Sequence, residues 1–398
     1  MPFTPEDLEA LISGDLAARE ASHQLRVRRA LVPISSTHVR CDGVDYVNFA
    51  SNNYLGLTHH PRLLDAAIQS LRREGLGSGA ASLITGYTTT HAQAEARIAS
   101  WKGAEAAVLL PSGYQANHAA VQTLAALGEK RGGVRFLLDK RVHASLLDAV
   151  RGTAAPFRVF PHNHLAKLER LIADAPPDQM QVVVTESIFS MDGDAADLAG
   201  LVKLKQTRPF ILLLDEAHGS GVYGPGGAGL AAEQHLENDV DVCVVTLSKA
   251  LGSIGGAVCG SKQFCAALTN YGRAFIYSTA VPSWVAASAK EAIDVLSDEP
   301  WRAARVRQLA KQVRGQVASM GLEIPAGDAP IVPIIVGDAQ TAVDLSHRML
   351  QAGLLVPAVR PPTVALGSSR LRVTLSCDHT DEEVGRLIET LSEVKRVI

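Results

Sequence analysis

The sequence contains no apolar stretch that approaches the roughly 18 residues needed to cross a bilayer, so no membrane association is expected. Its five cysteines, at positions 41, 243, 259, 265 and 377, form no Cys-x-x-Cys pair, which argues against a disulfide framework or a zinc site. The 38 basic and 41 acidic residues nearly balance, so no overall field attracts nucleic acid. The first residues show neither the basic nor the apolar segment typical of a signal peptide, and we therefore expect a cytoplasmic protein.

The sequence also lacks any Gly-Lys pair. This absence matters because Asp215–His218, which reads Asp-Glu-Ala-His, matches a box found in helicases. A nucleotide-driven motor needs a Gly-x-x-x-x-Gly-Lys-Ser/Thr loop to hold phosphates. Without that loop and without an excess of basic residues, the motor interpretation is disfavoured.

What the chain does have is enough apolar material for a large core and for two or three domains, at 398 residues and 47% hydrophobic. Between about residues 60 and 290, helical patterns alternate with short apolar runs such as Gln181–Thr185 and Phe210–Asp215. This alternation predicts an α/β fold with a large, mostly parallel sheet covered by helices on both faces. The predicted division is an N-terminal helix and extension at 1–50, a large α/β domain at 51–290 and a smaller C-terminal α+β domain at 291–398.

Lys249 is the most informative residue. It follows the apolar run Val242–Leu247, where a surface lysine would be out of place, and an earlier apolar run ends on Asp215. Ligands bind at the carboxyl ends of strands in open α/β sheets. A lysine there can form a Schiff base, and an aspartate can pair with a protonated pyridine nitrogen, although Asp215 could also simply cap a helix. The pair is typical of an enzyme that uses pyridoxal 5'-phosphate (PLP).

A phosphate site is predicted at the turn that follows the run Ala106–Leu110. Gly113 and Tyr114 open a helix there, and the N–H groups of a helix N-terminus bind anions. The hydroxyl of Thr246, three residues before Lys249, offers a further donor.

Four more side chains are candidates for contacts with a cofactor or substrate. His143 can stack on a flat ring, His218 can reach the ring hydroxyl, and Ser190 follows the end of another strand. Arg372 lies between apolar residues of a predicted strand, and its guanidinium suits a substrate carboxylate. Structural roles for the two histidines, and a structural salt bridge for Arg372, remain open alternatives.

Taken together, these motifs resemble the α-oxoamine synthases, which are PLP enzymes of fold type I. The resemblance runs from about residue 20 to 395. It is carried by Asn52–Leu57, Gly77–Gly79, Gly86 with His91, Ser112–Tyr114, His143–Ser145, Phe189–Asp194, Asp215–Gly219, Thr246–Lys249, Tyr277–Thr279 and Arg370–Arg372. The chain departs from the usual family pattern at Ala81–Leu83, Val281–Ser283 and Ala365.

The resemblance implies a role for each matching residue, with a second subunit completing the site of a homodimer. The implied roles are the Schiff-base lysine and proton-transfer base for Lys249; the pyridinium partner for Asp215; ring stacking for His143; contacts to the ring hydroxyl for Ser190 and His218; phosphate contacts for Gly113, Tyr114 and Thr246, with Ser278 and Thr279 from the second subunit; the amino-acid carboxylate for Asn52 and Arg372; and the acyl thioester for Arg26 and Thr363.

The implied activity is a decarboxylative, Claisen-type condensation of an amino acid with an acyl thioester. Arg360–Val364 most resembles family members that join L-alanine to pimeloyl-CoA, or to its acyl-carrier-protein equivalent, in biotin synthesis. A member that uses glycine or serine with another acyl-CoA is the nearest alternative. A PLP aminotransferase or β-lyase, and an inactive subunit that binds a partner, are further alternatives.

Overall fold

The computed structural model describes residues 2–395. Its strands are β1 Val32–Pro33, β2 His38–Cys41, β3 Val44–Asn48, β4 Ala106–Leu110, β5 Val134–Asp139, β6 Phe157–Phe160, β7 Met180–Glu186, β8 Ile211–Asp215, β9 Val242–Thr246, β10 Gly256–Gly260, β11 Ile331–Gly337, β12 Leu354–Leu355, β13 Ala358–Val359 and β14 Ser369–Thr374. Its α-helices are α1 Pro5–Ala21, α2 Pro61–Glu74, α3 Thr89–Lys102, α4 Gly113–Gly128, α5 Ala144–Arg151, α6 Leu165–Ala173, α7 Leu198–Thr207, α8 Leu230–Glu233, α9 Lys262–Tyr271, α10 Arg273–Ile276, α11 Ser283–Asp298, α12 Trp301–Ser319, α13 Ala339–Gln351 and α14 Asp381–Lys395. Across residues 2–395, no helix is both long and apolar enough to cross a membrane.

The chain divides into two compact units. The large unit comprises Asn52–Gln308 and Gly327–Ala329. The small unit comprises the described parts of Met1–Ser51, Leu309–Ala326 and Pro330–Ile398. The chain passes from the small unit to the large unit between residues 51 and 52, and back to the small unit between residues 308 and 309. The three-part division with bounds at residues 50 and 290 stays a prediction.

The large unit is built on a seven-stranded sheet with the order β4–β10–β9–β8–β7–β5–β6. The five strands β9, β8, β7, β5 and β6 pair in parallel. β10 runs antiparallel to both of its neighbours, β4 and β9. Fully buried residues such as Leu213 and Val183 show that the sheet is covered on both faces. The predicted α/β class, with a large and mostly parallel sheet, is confirmed.

Two helices of the large unit begin where strands end, and both starts are capped by side chains. The Ser112 hydroxyl accepts a hydrogen bond from the Gln115 N–H at 3.1 Å and so starts α4 directly after β4. His143 Nδ1 accepts from the Ser145 N–H at 3.2 Å and starts α5 after β5. Such caps satisfy N–H groups that have no partner within the helix, and they place both helix starts at the carboxyl edge of the sheet.

The small unit contains two further sheets. One has the order β1–β2–β3–β12, in which β3 pairs in parallel with β12, and the other is the antiparallel sheet β11–β14–β13. The pairing of Val47 with Leu354 joins the N-terminal segment to residues about 300 positions later in the chain. Thr380 and Glu383 form the reciprocal hydrogen bonds of a capping box at the start of α14.

A buried ion pair stabilises the large unit. Lys102 Nζ donates to Glu216 Oε2, to the Ala228 carbonyl and, at 3.3 Å, to the Ser220 hydroxyl, and both charged side chains are at most 3% exposed. We expect Lys102→Met to lower the free energy of unfolding by about 3–5 kcal/mol, because it leaves a buried carboxylate without its counter-charge. Denaturation with urea, followed by circular dichroism, measures the change.

The matched control is Lys290→Met. Lys290 pairs with Asp294 at 3.0 Å on the surface, and its side chain is 42% exposed. Loss of an exposed pair should cost less than about 1 kcal/mol. Equal losses in the two variants would contradict a stabilising role for the buried pair.

Candidate active site

A cavity of about 260 Å³ opens at the carboxyl ends of β4, β5, β7, β8 and β9 in the large unit. Residues from five strand ends and the following turns form its wall. They are Ser112, Gly113, Tyr114, Asn117, His143, Ser145, Glu186, Asp215, Ala217, Val244, Thr246, Ser248 and Lys249. The cavity therefore brings together six predicted residues, namely Gly113, Tyr114, His143, Asp215, Thr246 and Lys249.

A larger cavity of about 460 Å³ lies at the other ends of the same strands, where Met180, Ile211 and Val242 begin β7, β8 and β9. None of the predicted site residues is among the described residues that line it. Its volume is greater, but the chemistry that the sequence predicts is concentrated in the smaller cavity.

Lys249 is connected to a chain of hydrogen bonds. Its Nζ lies 2.9 Å from His218 Nε2, and His218 Nδ1 lies 2.6 Å from the Tyr54 hydroxyl. The Tyr54 hydroxyl donates to Asn52 Oδ1 at 3.2 Å. The structure thus connects three predicted residues, Lys249, His218 and Asn52, through Tyr54. The sequence motif contained Tyr54 but assigned it no role.

Asp215 is 4% exposed and accepts two hydrogen bonds. Asn117 Nδ2 donates to its Oδ2 at 2.8 Å, and the Ala217 N–H donates to its Oδ1 at 2.8 Å. Asn117 was not predicted, because it lies one turn inside α4 and its role depends on the helix meeting β8. These two donors fix the orientation of the Asp215 carboxyl group at the cavity.

Glu186 is a second carboxyl group at the cavity that sequence reasoning missed. It is the Cα partner of Asp215 across β7 and β8, and it accepts a hydrogen bond from the backbone N–H of His143. Burial, reinforced by repulsion from Asp215, raises the pKa of the Glu186 carboxyl well above its ordinary value. The only feature of the sequence that pointed to Glu186 was its position at the end of an apolar run.

His143 lines the cavity as a neutral ring. Burial, helped by the nearby positive charge of Lys249, lowers the pKa of His143, although Asp215 opposes this shift. Its Nδ1 accepts from the Ser145 N–H, so the proton of the neutral ring resides on Nε2. A neutral imidazole with an Nε2–H can lie against an aromatic ring and donate a hydrogen bond.

The start of α4 fits a phosphate group. A Cβ at Gly113 would lie 3.0 Å from Thr246 Oγ1, and a Cβ at Gly256 would lie 2.8 Å from the Gly113 Cα, so the helix start packs closely on β9 and β10. The Thr246 hydroxyl lies 3.0 Å from the Ser248 hydroxyl. Free N–H groups of a helix start and clustered hydroxyls are the donors that a phosphate needs. The residues present therefore fit PLP, with phosphate at Gly113 and Thr246 and pyridine nitrogen at Asp215.

Four predicted cofactor residues of the large unit, Ser190, His218, Ser278 and Thr279, are not among the described residues that line the cavity, although His218 contacts Lys249. Ser190 is buried in the turn after β7. The Ser278 hydroxyl accepts from Gln115 Nε2 at 3.2 Å, which brings it to the first turn of α4, and Thr279 forms a bridge with Ala81. Their contacts with a cofactor stay predictions.

The predicted acyl residues lie in the small unit. Arg26 Nη2 donates to the Thr363 hydroxyl at 3.0 Å, so the structure brings these two residues together. Arg360 lies near them, and burial together with the charge of Arg26 lowers its pKa. Arg372 is buried within β14, and its contact with a substrate stays a prediction.

Comparison with known proteins agrees with this geometry. Residues 44–391 match the family model described as aminotransferase class I and II. The chain is 40% identical over 376 residues to an 8-amino-7-oxononanoate synthase from Gluconacetobacter diazotrophicus, covering 93% of this chain and 94% of the relative. It is 37% identical over 391 residues to the synthase of the same name from Cellvibrio japonicus, covering 98% and 97%.

Solved structures show the same fold. A serine palmitoyltransferase variant from S. paucimobilis, with a bound PLP–myriocin aldimine, superposes with a TM-score of 0.91 at 27% identity and covers 98% of each chain. The predictions of fold type I and of PLP as the cofactor are confirmed. The chain belongs to the class I and II aminotransferase family and, within it, to the α-oxoamine synthases, which are PLP-dependent acyltransferases.

Proposed function

We propose that this enzyme condenses L-alanine with a pimeloyl thioester, of CoA or of acyl carrier protein, to give 8-amino-7-oxononanoate, CO2 and the free thiol in biotin synthesis. The observation that carries the proposal is the cluster of Arg26, Arg360 and Thr363. Two guanidinium groups whose charges repel each other favour an anion between them. A pimeloyl chain carries a free carboxylate at its far end, whereas a palmitoyl chain does not. The names of the relatives support the same reaction.

Binding of the cofactor is assigned to residues of the cavity. Lys249 would hold the aldehyde carbon, Asp215 the pyridine nitrogen, and His143 one face of the ring. The phosphate would bind at the N–H groups of Gly113 and Tyr114. When bound, PLP supplies an electron-poor ring that stabilises negative charge at the amino-acid α-carbon.

Proton transfer is assigned to Lys249. Its Nζ, held 2.9 Å from His218 Nε2, takes the α-proton of L-alanine. His143, neutral because burial lowers its pKa, donates its Nε2–H to the carbonyl oxygen of the acyl group, where charge grows as the carbon–carbon bond forms. The C–S bond of the thioester then breaks and releases the thiol, and loss of CO2 and return of the proton complete the reaction.

A second candidate is a condensation of serine or glycine with another acyl thioester. The fold similarity to serine palmitoyltransferase favours it. The arginine cluster argues against a long apolar acyl chain, because charged guanidinium groups favour a carboxylate over a hydrocarbon end. Product mass from alanine, glycine and serine, each with pimeloyl-CoA and palmitoyl-CoA, distinguishes the two reactions.

We expect Lys249→Ala to lose the absorbance of the lysine-bound cofactor and to lower kcat by about 10²–10⁴-fold, because the variant lacks the proton-transfer base. Absorbance spectra and product formation measure the two effects. Lys262→Ala, at an exposed lysine, is the control and should keep both signals. Normal turnover by Lys249→Ala would overturn the assignment.

We expect Arg26→Ala to raise KM for pimeloyl-CoA roughly 10- to 100-fold with little change in kcat, because it removes a charged hydrogen bond to the distal carboxylate. Octanoyl-CoA, which lacks that carboxylate, should be used equally well by wild type and variant. The neighbouring exposed Arg28→Ala is the control. An equal loss with both thioesters would contradict carboxylate recognition.

We also infer a homodimer. Leu76, Leu83, Ile84 and Tyr277 of the large unit expose 53–79% of their surface, and Tyr277 directly precedes Ser278. Apolar side chains of this kind mark an interface. Ile84→Glu should therefore shift the protein towards monomer in analytical ultracentrifugation and weaken PLP binding. Leu366→Glu, at a residue 91% exposed in the small unit, should change neither.

A further inference from the structure

His162 lies outside the catalytic cavity and bridges two carboxylates. It follows β6, and its Nδ1 lies 2.9 Å from Asp139 Oδ1 while its Nε2 lies 2.7 Å from Asp194 Oδ2. Neither carboxylate can donate when ionised, so both ring nitrogens must carry protons. We call His162, Asp139 and Asp194 the histidine clamp.

The positively charged form of the His162 imidazole is strongly favoured. Burial alone would lower the pKa of His162, but hydrogen bonds and attraction from Asp139 and Asp194 outweigh it and raise the pKa to about 9. Arg141 also faces the group, with Nη1 at 3.6 Å from Asp194 and 3.4 Å from Asp192. A raised pKa means that the stabilisation is complete below the ordinary value of 6.5 and is lost as pH rises through about 9.

One end of the clamp holds the segment that leads to His143. Asp139 is the last residue of β5, and its Oδ1 also accepts from the Arg141 N–H at 2.8 Å. Its Oδ2 accepts from the Asn163 N–H at 2.9 Å. Asp139 therefore joins the turn before His143 to the turn that carries His162.

The other end of the clamp holds the turn that carries Ser190. The Phe189 N–H donates to the Asp194 carbonyl at 2.9 Å, and the Gly193 N–H donates to the Phe189 carbonyl at 2.8 Å, which closes a tight hairpin with Ser190 in its turn. The His162 ring packs edge-on against Phe189 with centroids 4.4 Å apart. Both the ion pair and the ring contact thus fix this hairpin.

We propose that His162 is a positioning residue, whose imidazolium holds the segment of His143 and the hairpin of Ser190 at the distance that the cofactor ring requires. The inference rests on the proposed function, because the roles of His143 and Ser190 belong to it. Asp139, Asp194 and Phe189, which His162 contacts, are not among the described residues that line the cavity, so His162 acts on the cavity through the two carboxylates. Misplacement of binding groups by about 1 Å is enough to lower a rate roughly 100-fold.

Two substitutions at His162 test its contacts with Asp139 and Asp194 one at a time. In His162→Asn, the side-chain amide can replace Nδ1 at Asp139 but cannot reach Asp194, whereas in His162→Gln it can approach Asp194. We expect both variants to weaken PLP binding and lower kcat/KM by about 10- to 100-fold, in line with such misplacement. We also expect the PLP affinity of the wild type to fall as pH rises through about 9, and the two variants to lack this fall. Titration of the apo-protein with PLP from pH 7 to 10, followed by absorbance, measures this without substrates.

His164→Asn is the matched control. His164 is exposed, two residues away, and caps α6 through its Nδ1, a role that asparagine fills well. Asp194→Asn removes the ion pair from its other end, and the double variant with His162→Asn should be no worse than either single variant.

The outcomes distinguish the inference from the proposed function. If the His162 variants unfold at the wild-type temperature midpoint yet bind PLP normally with an unchanged pH profile, the positioning role is wrong. If they are destabilised instead, Asp194→Asn decides: normal PLP affinity and an unchanged profile there also overturn it. Failure of the wild type to form product from L-alanine and pimeloyl-CoA would overturn the proposed function while leaving the PLP-binding result interpretable.

Discussion

The active site depends on the register of three parallel strands. Glu186 on β7 lies beside Asp215 on β8, and Asp215 lies beside Val244 on β9. Because these strands end at the same edge of the sheet, Thr246 at the end of β9 and Lys249 in the turn that follows lie at the same cavity. A slip of one residue between two of the strands would turn a carboxyl group to the opposite face of the sheet.

That register creates an electrostatic problem, since two buried carboxylates side by side repel each other. The surroundings of the two carboxyl groups differ. Asp215 receives hydrogen bonds from Asn117 and the Ala217 N–H, which fix its orientation, whereas burial and the Asp215 charge raise the pKa of Glu186. Asp215 therefore offers the hydrogen-bonded carboxyl group that a protonated pyridine nitrogen requires as its partner.

The sequence predicted the residues that end apolar runs, because a polar side chain at such a place is visible without coordinates. Lys249, Asp215 and Thr246 were found in this way, and so was the α/β class. Asn117 and Glu186 were missed because their roles arise only when a helix packs on a strand or when two strands come into register. The pairing of β3 with β12 was invisible for the same reason: nothing local signals a partner about 300 residues away.

Three histidines show why position alone does not assign charge. Burial lowers the pKa of His143 at the cavity and keeps its ring neutral. Two carboxylates raise the pKa of His162, which lies outside the cavity, and keep its ring charged. His379 of the small unit is buried and stacked on Phe49 with centroids 4.2 Å apart, and its pKa is lowered to about 4. A neutral ring suits the interior, where it lies near the cation of Lys249. The charged ring of His162 lies between two carboxylates that balance its charge. It can therefore hold two segments of the chain together without adding charge to the cavity.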